Sequence, residues 1–154
     1  MSDFVNIAAY LPEMAKKQPY RPAVSFPTGR DGNGRVKYTH YTFHQLDRES
    51  DLMARGLDRV GVKRGVRTAL MVKPSLEFFA LTFALFKVGA VPVLVDPGIG
   101  IRNLKRCLEQ AEPEAFIGIP QAHMARAVLG WGRKTIRTRI IVGKRLLWRV
   151  ITLN

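Results

Sequence analysis

The spacing of apolar residues predicts alternating strands and helices along most of the chain. Four apolar runs have the length of strands, at residues 67–72, 90–95, 115–119 and 139–142, and helical periodicity occupies residues 75–89, 102–111 and 121–129 between them. A strand, a crossover helix and a second strand pair in parallel. The pattern therefore predicts an α/β fold with a partial, doubly wound, mostly parallel sheet and helices on both faces.

The amino-terminal part has a different pattern. Residues 4–17 have the spacing of an amphipathic helix, and residues 23–26 and 36–42 resemble short strands joined by the turn-forming sequence PTGRDGNG. Thr42 and Gln45 form a capping-box pattern ahead of a long amphipathic helix, for which Gly61 is a natural stop. We expect a short β-hairpin between two helices.

The run Val91–Val95 has no polar alternation, which predicts that helices cover both faces of this strand. Asp96, Pro97 and Gly98 follow it, at the edge of the sheet where open parallel sheets bind ligands. Asp96 has no His, Lys or second carboxylate in a local motif, so we interpret it as a turn former. This stretch is predicted to be a platform rather than a catalytic element.

Composition and charge are those of one globular domain with a basic end. The 154 residues are 47% apolar and carry a formal net charge of +13. Residues 126–154 hold eight Lys and Arg and no acid, so this segment either binds a polyanion or has its acidic partners elsewhere. Trp131 and Trp148 lie among these basic residues and are of a type that stacks on nucleobases. No nucleic-acid fold motif accompanies them, so nucleic acid is the disfavoured partner.

Cysteine usage and the amino terminus favour a cytoplasmic protein. The start lacks the features of a secretory signal, and no apolar stretch is long enough for a transmembrane segment. Cys107, the single cysteine, cannot form an internal disulfide. It falls on the apolar face of its predicted helix, so we expect a small buried hydrophobe rather than a nucleophile.

Three patterns imitate functional motifs. Gly29, Gly32 and Gly34 are followed by a strand, whereas a phosphate loop leads into a helix, so a hairpin is predicted. Gly143-Lys144 lacks both the earlier glycine and the Ser or Thr of a P-loop. His40 and His44 have a metal-binding spacing only on one helix, but Thr42 between them is the predicted cap. His123 has no local partner and stays unassigned.

Longer stretches resemble a known family. The sequence LMVKPSLEFFALTFALFKVGAVPVLVDPGI is similar to the second core motif of the AMP-forming acyl-CoA synthetases and adenylate-forming ligases. The stretches beginning YTFHQLDRES and LKRCLEQAEPEAFIG resemble helices and strands of the same superfamily. Within this superfamily, the sequence of these stretches is most similar to that of the bacterial fatty-acid ligases that include the olefin-pathway β-lactone synthetases. The resemblance extends over about residues 4–143.

The resemblance implies an enzyme that uses ATP and Mg²⁺ to convert a fatty acid into an acyl-adenylate, with CoA as a further substrate in some members. The family holds the triphosphate with a Ser/Thr/Gly-rich loop followed by Pro-Lys-Gly, and these 154 residues contain neither. We therefore assign no catalytic, cofactor-binding or metal-binding residue. We expect residues 1–143 to be an incomplete amino-terminal subdomain, residues 144–154 a basic and apolar tail, and the isolated chain to be inactive.

Two other hypotheses remain open at this point. The chain could be a small basic module that contacts nucleic acid or another anionic surface through residues 126–154, or a truncated gene product without a function of its own. A sheet that lacks its remaining strands would expose an apolar edge, so self-association is expected. The acid used by the parent enzyme and its product, a thioester, a lactone or a free adenylate, are left undecided.

Overall fold

A computed structural model describes residues 6–95, 97–143 and 149–152. A 3₁₀ helix at Ile7–Ala9 leads into the first α-helix, and a second 3₁₀ helix lies at Pro97–Ile99. The helices are α1 (Tyr10–Lys17), α2 (Phe43–Arg59), α3 (Leu76–Lys87), α4 (Ile101–Ala111) and α5 (Pro120–Leu129). The strands are β1 (Pro22–Arg30), β2 (Val36–Thr42), β3 (Arg67–Met71), β4 (Val91–Leu94), β5 (Ala115–Gly118), β6 (Thr138–Ile141) and β7 (Arg149–Thr152).

The chain forms two compact units, residues 1–55 with 74–87 and residues 56–73 with 88–154. The first holds the two-stranded antiparallel sheet β1–β2, and the second holds a five-stranded sheet. The α/β fold class and the amino-terminal hairpin are confirmed. None of the helices in the described part of the chain combines the length and apolar character that crossing a membrane requires.

Local signals in the sequence explain the hairpin and the start of α2. The Asp31 carboxylate accepts hydrogen bonds from the backbone N–H groups of Asn33 and Arg35, at 2.9 and 2.8 Å, which closes the turn between β1 and β2. The predicted capping box is present: the Thr42 N–H donates to Gln45 Oε1 at 2.9 Å, and the Gln45 N–H donates to Thr42 Oγ1 at 3.2 Å. Both bonds satisfy N–H groups that a helix start leaves unpaired.

A lysine ties α3 to α2 in the first unit. Asp47 and Asp51 lie one helical turn apart on α2 and therefore share a face. The Lys87 ammonium at the end of α3 donates to both carboxylates at 2.6 Å, and its side chain is only 12% exposed. Among its other residues, α3 is apolar nearly all round, and Leu76, Ala80, Leu81, Ala84 and Leu85 are buried, as predicted.

The second unit is built around a central buried strand. The strand order is β4-β3-β5-β6-β7, with parallel pairing except between β6 and β7, which are antiparallel. All four residues of β5 are buried, so both faces of this strand are covered. One face packs into a core made of Ala69, Leu104, Leu108, Phe116, Ala122 and Trp131.

The expected coverage of both faces of residues 91–95 is wrong. Among the described residues β4 pairs with β3 alone, and Val91 and Leu94 are 48% and 57% exposed. An uninterrupted apolar run reports a preference for extended backbone, but the position of a strand within its sheet depends on pairing between distant segments. The local pattern therefore could not place β4 at the edge.

The expected burial of Cys107 is also wrong, because its side chain is exposed. The buried stripe of α4 is formed by Leu104 and Leu108. Cys107 precedes Leu108 by one residue, a rotation of about 100° around the helix, which carries it out of this narrow stripe.

Candidate functional site

The strands β3, β5 and β6 end level with one another in the second unit. Met71 is paired with Gly118, and Gly118 with Ile141. Backbone hydrogen bonds continue this ladder one residue further, from the Ile119 N–H to the Met71 carbonyl at 3.2 Å and from the Val142 N–H to the Gly118 carbonyl at 2.9 Å. This carboxyl edge is the side of an open parallel sheet on which ligands bind.

Gly118 allows α5 to begin close to the sheet. A methyl group at this position would lie 2.8 Å from Phe116 Cε1, 3.2 Å from Ala122 Cβ and 3.3 Å from the Met71 carbonyl oxygen. Pro120 then occupies the first turn of α5, where its missing N–H has no consequence. The short link brings the side chains of α5 onto Phe116.

Four side chains of β5, α5 and β6 form what we call the Phe116 cluster: Phe116, His123, Arg126 and Arg139. The His123 ring meets the Phe116 ring edge to face, with centroids 4.9 Å apart. The Arg126 guanidinium carbon lies 5.9 Å from the Phe116 ring centroid, within the range of a cation–π contact. Arg139 is the register partner of Phe116 on β6 and therefore shares its face of the sheet.

The ring of His123 contacts the backbone of β6. Its Nε2 lies 2.9 Å from the Ile140 carbonyl oxygen, and since a carbonyl only accepts, Nε2 carries the proton. Burial lowers the pKa of His123, and the positive charges of Arg126 and Arg139 lower it further, while the hydrogen bond to Ile140 opposes them in part. The imidazolium form is therefore disfavoured here.

The two arginines of the cluster stand close enough to repel one another. Burial, and then the charge of Arg139, lower the pKa of the Arg126 guanidinium, which stays protonated because arginine is so strongly basic. The Nε atoms of Arg126 and Arg139 are buried, and neither has a hydrogen-bond partner in the described part of the chain. Chemically, the cluster presents N–H donors and positive charge.

The residues that imitate motifs lie where the sequence placed them. Gly29, Gly32 and Gly34 belong to the β1–β2 hairpin. His40 lies in β2 and His44 in the first turn of α2. Across residues 6–95, 97–143 and 149–152, no three His, Cys, Asp or Glu side chains are grouped so that they could hold a metal ion.

Trp131 does not provide the stacking surface that the sequence suggested. Its side chain is 3% exposed and packs in the core beside Phe116. A base can stack only on an exposed ring, so Trp131 is a core residue. Trp148, Asp96 and Lys144 lie outside the described residues.

Sequence reasoning missed the Phe116 cluster. It left His123 unassigned and counted Arg126 and Arg139 only as part of a basic segment. The spacing of His123 and Arg126, three residues apart on a helix, puts them on one face and was a usable signal. The approach of Arg139 was not readable, because it depends on the register between β5 and β6.

Two solved structures illustrate the similarity of the fold. The N-terminal domain of FACL13 from Mycobacterium tuberculosis is similar over 81% of this chain and 29% of its own, with a TM-score of 0.65 and 21% identity. Coronafacic acid ligase from Pectobacterium brasiliense is similar over 92% of this chain and 26% of its own, with a TM-score of 0.71 and 15% identity. At these identities, the similarity establishes the fold.

Sequence comparison gives a more specific result. An olefin β-lactone synthetase of Stenotrophomonas maltophilia is 56% identical over 150 residues, which are 96% of this chain and 27% of that protein. The olefin β-lactone synthetase of Xanthomonas campestris is 49% identical over 154 residues, 99% of this chain and 28% of that protein. The chain thus spans little more than a quarter of the length of these relatives.

The sequence profile of the family described as AMP-binding enzyme matches residues 11–148. The chain belongs to this family, as its resemblance to the adenylate-forming ligases implied, and it corresponds to their amino-terminal part.

The lowered pKa of His123 predicts a loss of stability in acid. The folded chain binds the proton less readily than the unfolded chain, whose histidine has a pKa of about 6.5. The stability that neutral His123 provides is therefore complete above that value and is lost as the pH falls through it toward the lower folded pKa. The variant His123→Gln retains a donor for the Ile140 carbonyl. We expect it to reduce the pH dependence of the free energy of unfolding, measured by urea denaturation, between neutral and mildly acidic pH.

His44→Gln makes the same change at an exposed position and serves as the matched control. An equal pH dependence in the parent chain and His123→Gln would show that His123 is not the titrating group.

Proposed function

We propose that this chain is an architectural part of an ATP-dependent, AMP-forming ligase that activates a fatty acid. The observation that carries the proposal is the 56% identity to an olefin β-lactone synthetase across nearly the whole chain. Residues 1–143 would form the amino-terminal subdomain of such an enzyme, with residues 144–154 as the segment that follows. Its lone cysteine suits a cytoplasmic enzyme.

In the proposed reaction, the carboxylate of the acid attacks the α-phosphorus of ATP and pyrophosphate leaves, which forms the acyl-adenylate. If the acid carries a β-hydroxyl group, as a β-lactone product requires, that oxygen then attacks the acyl carbon and AMP leaves. CoA would take the place of the hydroxyl in an enzyme that makes a thioester. The triphosphate needs backbone N–H donors, a cation and Mg²⁺ to stabilise the charge that develops.

The role proposed for the present residues is to support that chemistry rather than perform it. The level carboxyl edge of β3, β5 and β6 is a backbone platform, and Gly118 keeps α5 close to it. The 154 residues contain no Ser/Thr/Gly-rich loop followed by Pro-Lys-Gly. The acid, the nucleotide and Mg²⁺ would therefore be held mainly by other parts of the enzyme.

The alternative role, a basic module that contacts nucleic acid or another anionic surface through residues 126–154, is less well supported. Trp131 is buried, so it offers no exposed ring in the described part of this segment. Single-stranded nucleic acid is normally bound by exposed aromatic rings and an exposed basic groove.

Replacing the matching segment of the Stenotrophomonas maltophilia enzyme with this chain tests the proposed function. We expect the chimera to release pyrophosphate in a fatty-acid-dependent assay within about tenfold of the parent rate, a loss of no more than about 1.4 kcal/mol. The 154-residue chain alone should show no acid-dependent release. A folded but inactive chimera, or turnover by the chain alone, would contradict the proposal.

Two glycine variants of the chimera test whether the platform matters. Gly118→Val should reduce activity by more than about tenfold, because the new side chain collides with Phe116, Ala122 and the Met71 carbonyl. The control Gly56→Val places the same side chain in open space on α2 and should have a much smaller effect. Equal losses in both variants would remove the role assigned to the edge of the sheet.

We also propose that the isolated chain associates with itself through the edge strand β4. Val91 and Leu94 expose apolar surface on β4, which pairs only with β3 among the described strands. Leu94→Lys should shift the chain toward the monomer in sedimentation equilibrium, because edge lysines oppose strand pairing. Val128→Lys removes an even more exposed apolar side chain from α5 and should leave association unchanged. A parent chain that stays monomeric, or equal effects of both variants, would refute this.

A further inference from the structure

Unpaired polar atoms are concentrated in one segment of the second unit. In the described part of the chain, four buried side-chain atoms have no hydrogen-bond partner: Arg126 Nε, Trp131 Nε1, Thr135 Oγ1 and Arg139 Nε. All four belong to the end of α5, the turn that follows it and β6. Native proteins pair almost all of their buried polar groups, so such a concentration indicates a missing partner.

The chemistry of these atoms defines what that partner must offer. The N–H groups of arginine and tryptophan can only donate, and a threonine hydroxyl can donate as well as accept. The segment therefore has unused donors, and the complementary group must supply acceptor oxygens. The backbone of the turn holds the donors together, since the Trp131 N–H donates to the Arg126 carbonyl at 3.1 Å.

The charges of the segment require a negative partner. Arg126 and Arg139 repel one another beside Phe116, and no ion pair with a described carboxylate involves either of them. Of the 12 acids in the sequence, all but Asp3 and Asp96 lie in the described ranges. Two neighbouring cations without a counter-charge are best neutralised by a dianion.

We propose that Arg126 and Arg139 form a binding site for a phosphate dianion, with the turn between α5 and β6 as a source of further donors. Guanidinium groups bind phosphate oxygens in pairs of parallel N–H···O bonds, which suits them better than a lysine to this role. The Arg126 guanidinium lies within cation–π distance of the Phe116 ring, which also meets the His123 ring edge to face. The site lies in the second unit and does not depend on the proposed ligase activity.

Thermal unfolding of the full 154-residue chain tests the proposal. Unfolding is followed by circular dichroism at mildly alkaline pH, where inorganic phosphate is a dianion, with sodium chloride added to keep the ionic strength constant. A ligand that binds only the folded state raises the melting temperature, and at a fixed concentration the rise is larger for a tighter ligand. We expect inorganic phosphate and methyl phosphate to raise the melting temperature, and sodium acetate at equal concentration to have little effect.

Variants separate a specific site from net charge. Arg126→Gln and Arg139→Gln should each weaken the apparent affinity for phosphate by about tenfold or more, because each removes a charged donor pair. Arg133→Gln removes the same charge from an exposed position of the same segment and should change the affinity by less than about twofold.

The basal stability of Arg139→Gln gives a second readout. Without phosphate this variant should melt no lower than the parent chain, because the repulsion of Arg126 is relieved, and with phosphate it should melt lower. Loss of stability by the same amount in both conditions would assign Arg139 a packing role and overturn the proposal. So would the absence of stabilisation by phosphate, equal stabilisation by acetate, or an equal loss of affinity in Arg133→Gln.

Discussion

The pairing of β5 with β3 on one side and β6 on the other is the constraint on which the second unit depends. All four residues of β5 are buried, and their register aligns Ala69, Phe116 and Arg139 on one face of the sheet. The same register makes the three strands end level at their carboxyl edge. Because parallel strands pair through long-range contacts, a change in the position of β5 would disrupt the core, the edge and the Phe116 cluster together.

Stability and chemistry make opposite demands on this region. Gly118 and the short link to α5 pack the helix tightly onto Phe116, and this packing also buries Arg126 and Arg139 near each other. Like charges and unpaired donors in a partly buried place destabilise a fold unless a ligand or another protein segment compensates them. These like charges and unpaired donors are confined to one segment, next to strands whose backbone groups are paired. This location indicates that the segment serves binding.

The elements whose causes are local could be predicted from the sequence. The capping box at Thr42 and Gln45, the hairpin turn at Asp31 and the apolar α3 each follow from neighbouring residues, and each is present. Three other features have causes that neighbouring residues do not reveal. The exposed edge of β4 follows from strand order, the exposure of Cys107 from the width of the helix contact, and the approach of Arg139 to Phe116 from strand register. The burial of Trp131 was likewise not readable from its neighbours, since a tryptophan among basic residues is compatible with both a core and a surface position.

Native-state amide hydrogen exchange of the full chain tests most directly whether β5 is the element that holds the second unit together. Amides of a central strand exchange only when the whole unit unfolds, whereas those of an edge strand also exchange by local opening. We expect the amides of Phe116 and Ile117 to exchange at least about tenfold more slowly than that of Val93, whose N–H faces β3 from the edge strand β4. Equal exchange rates in β5 and β4 would contradict this expectation.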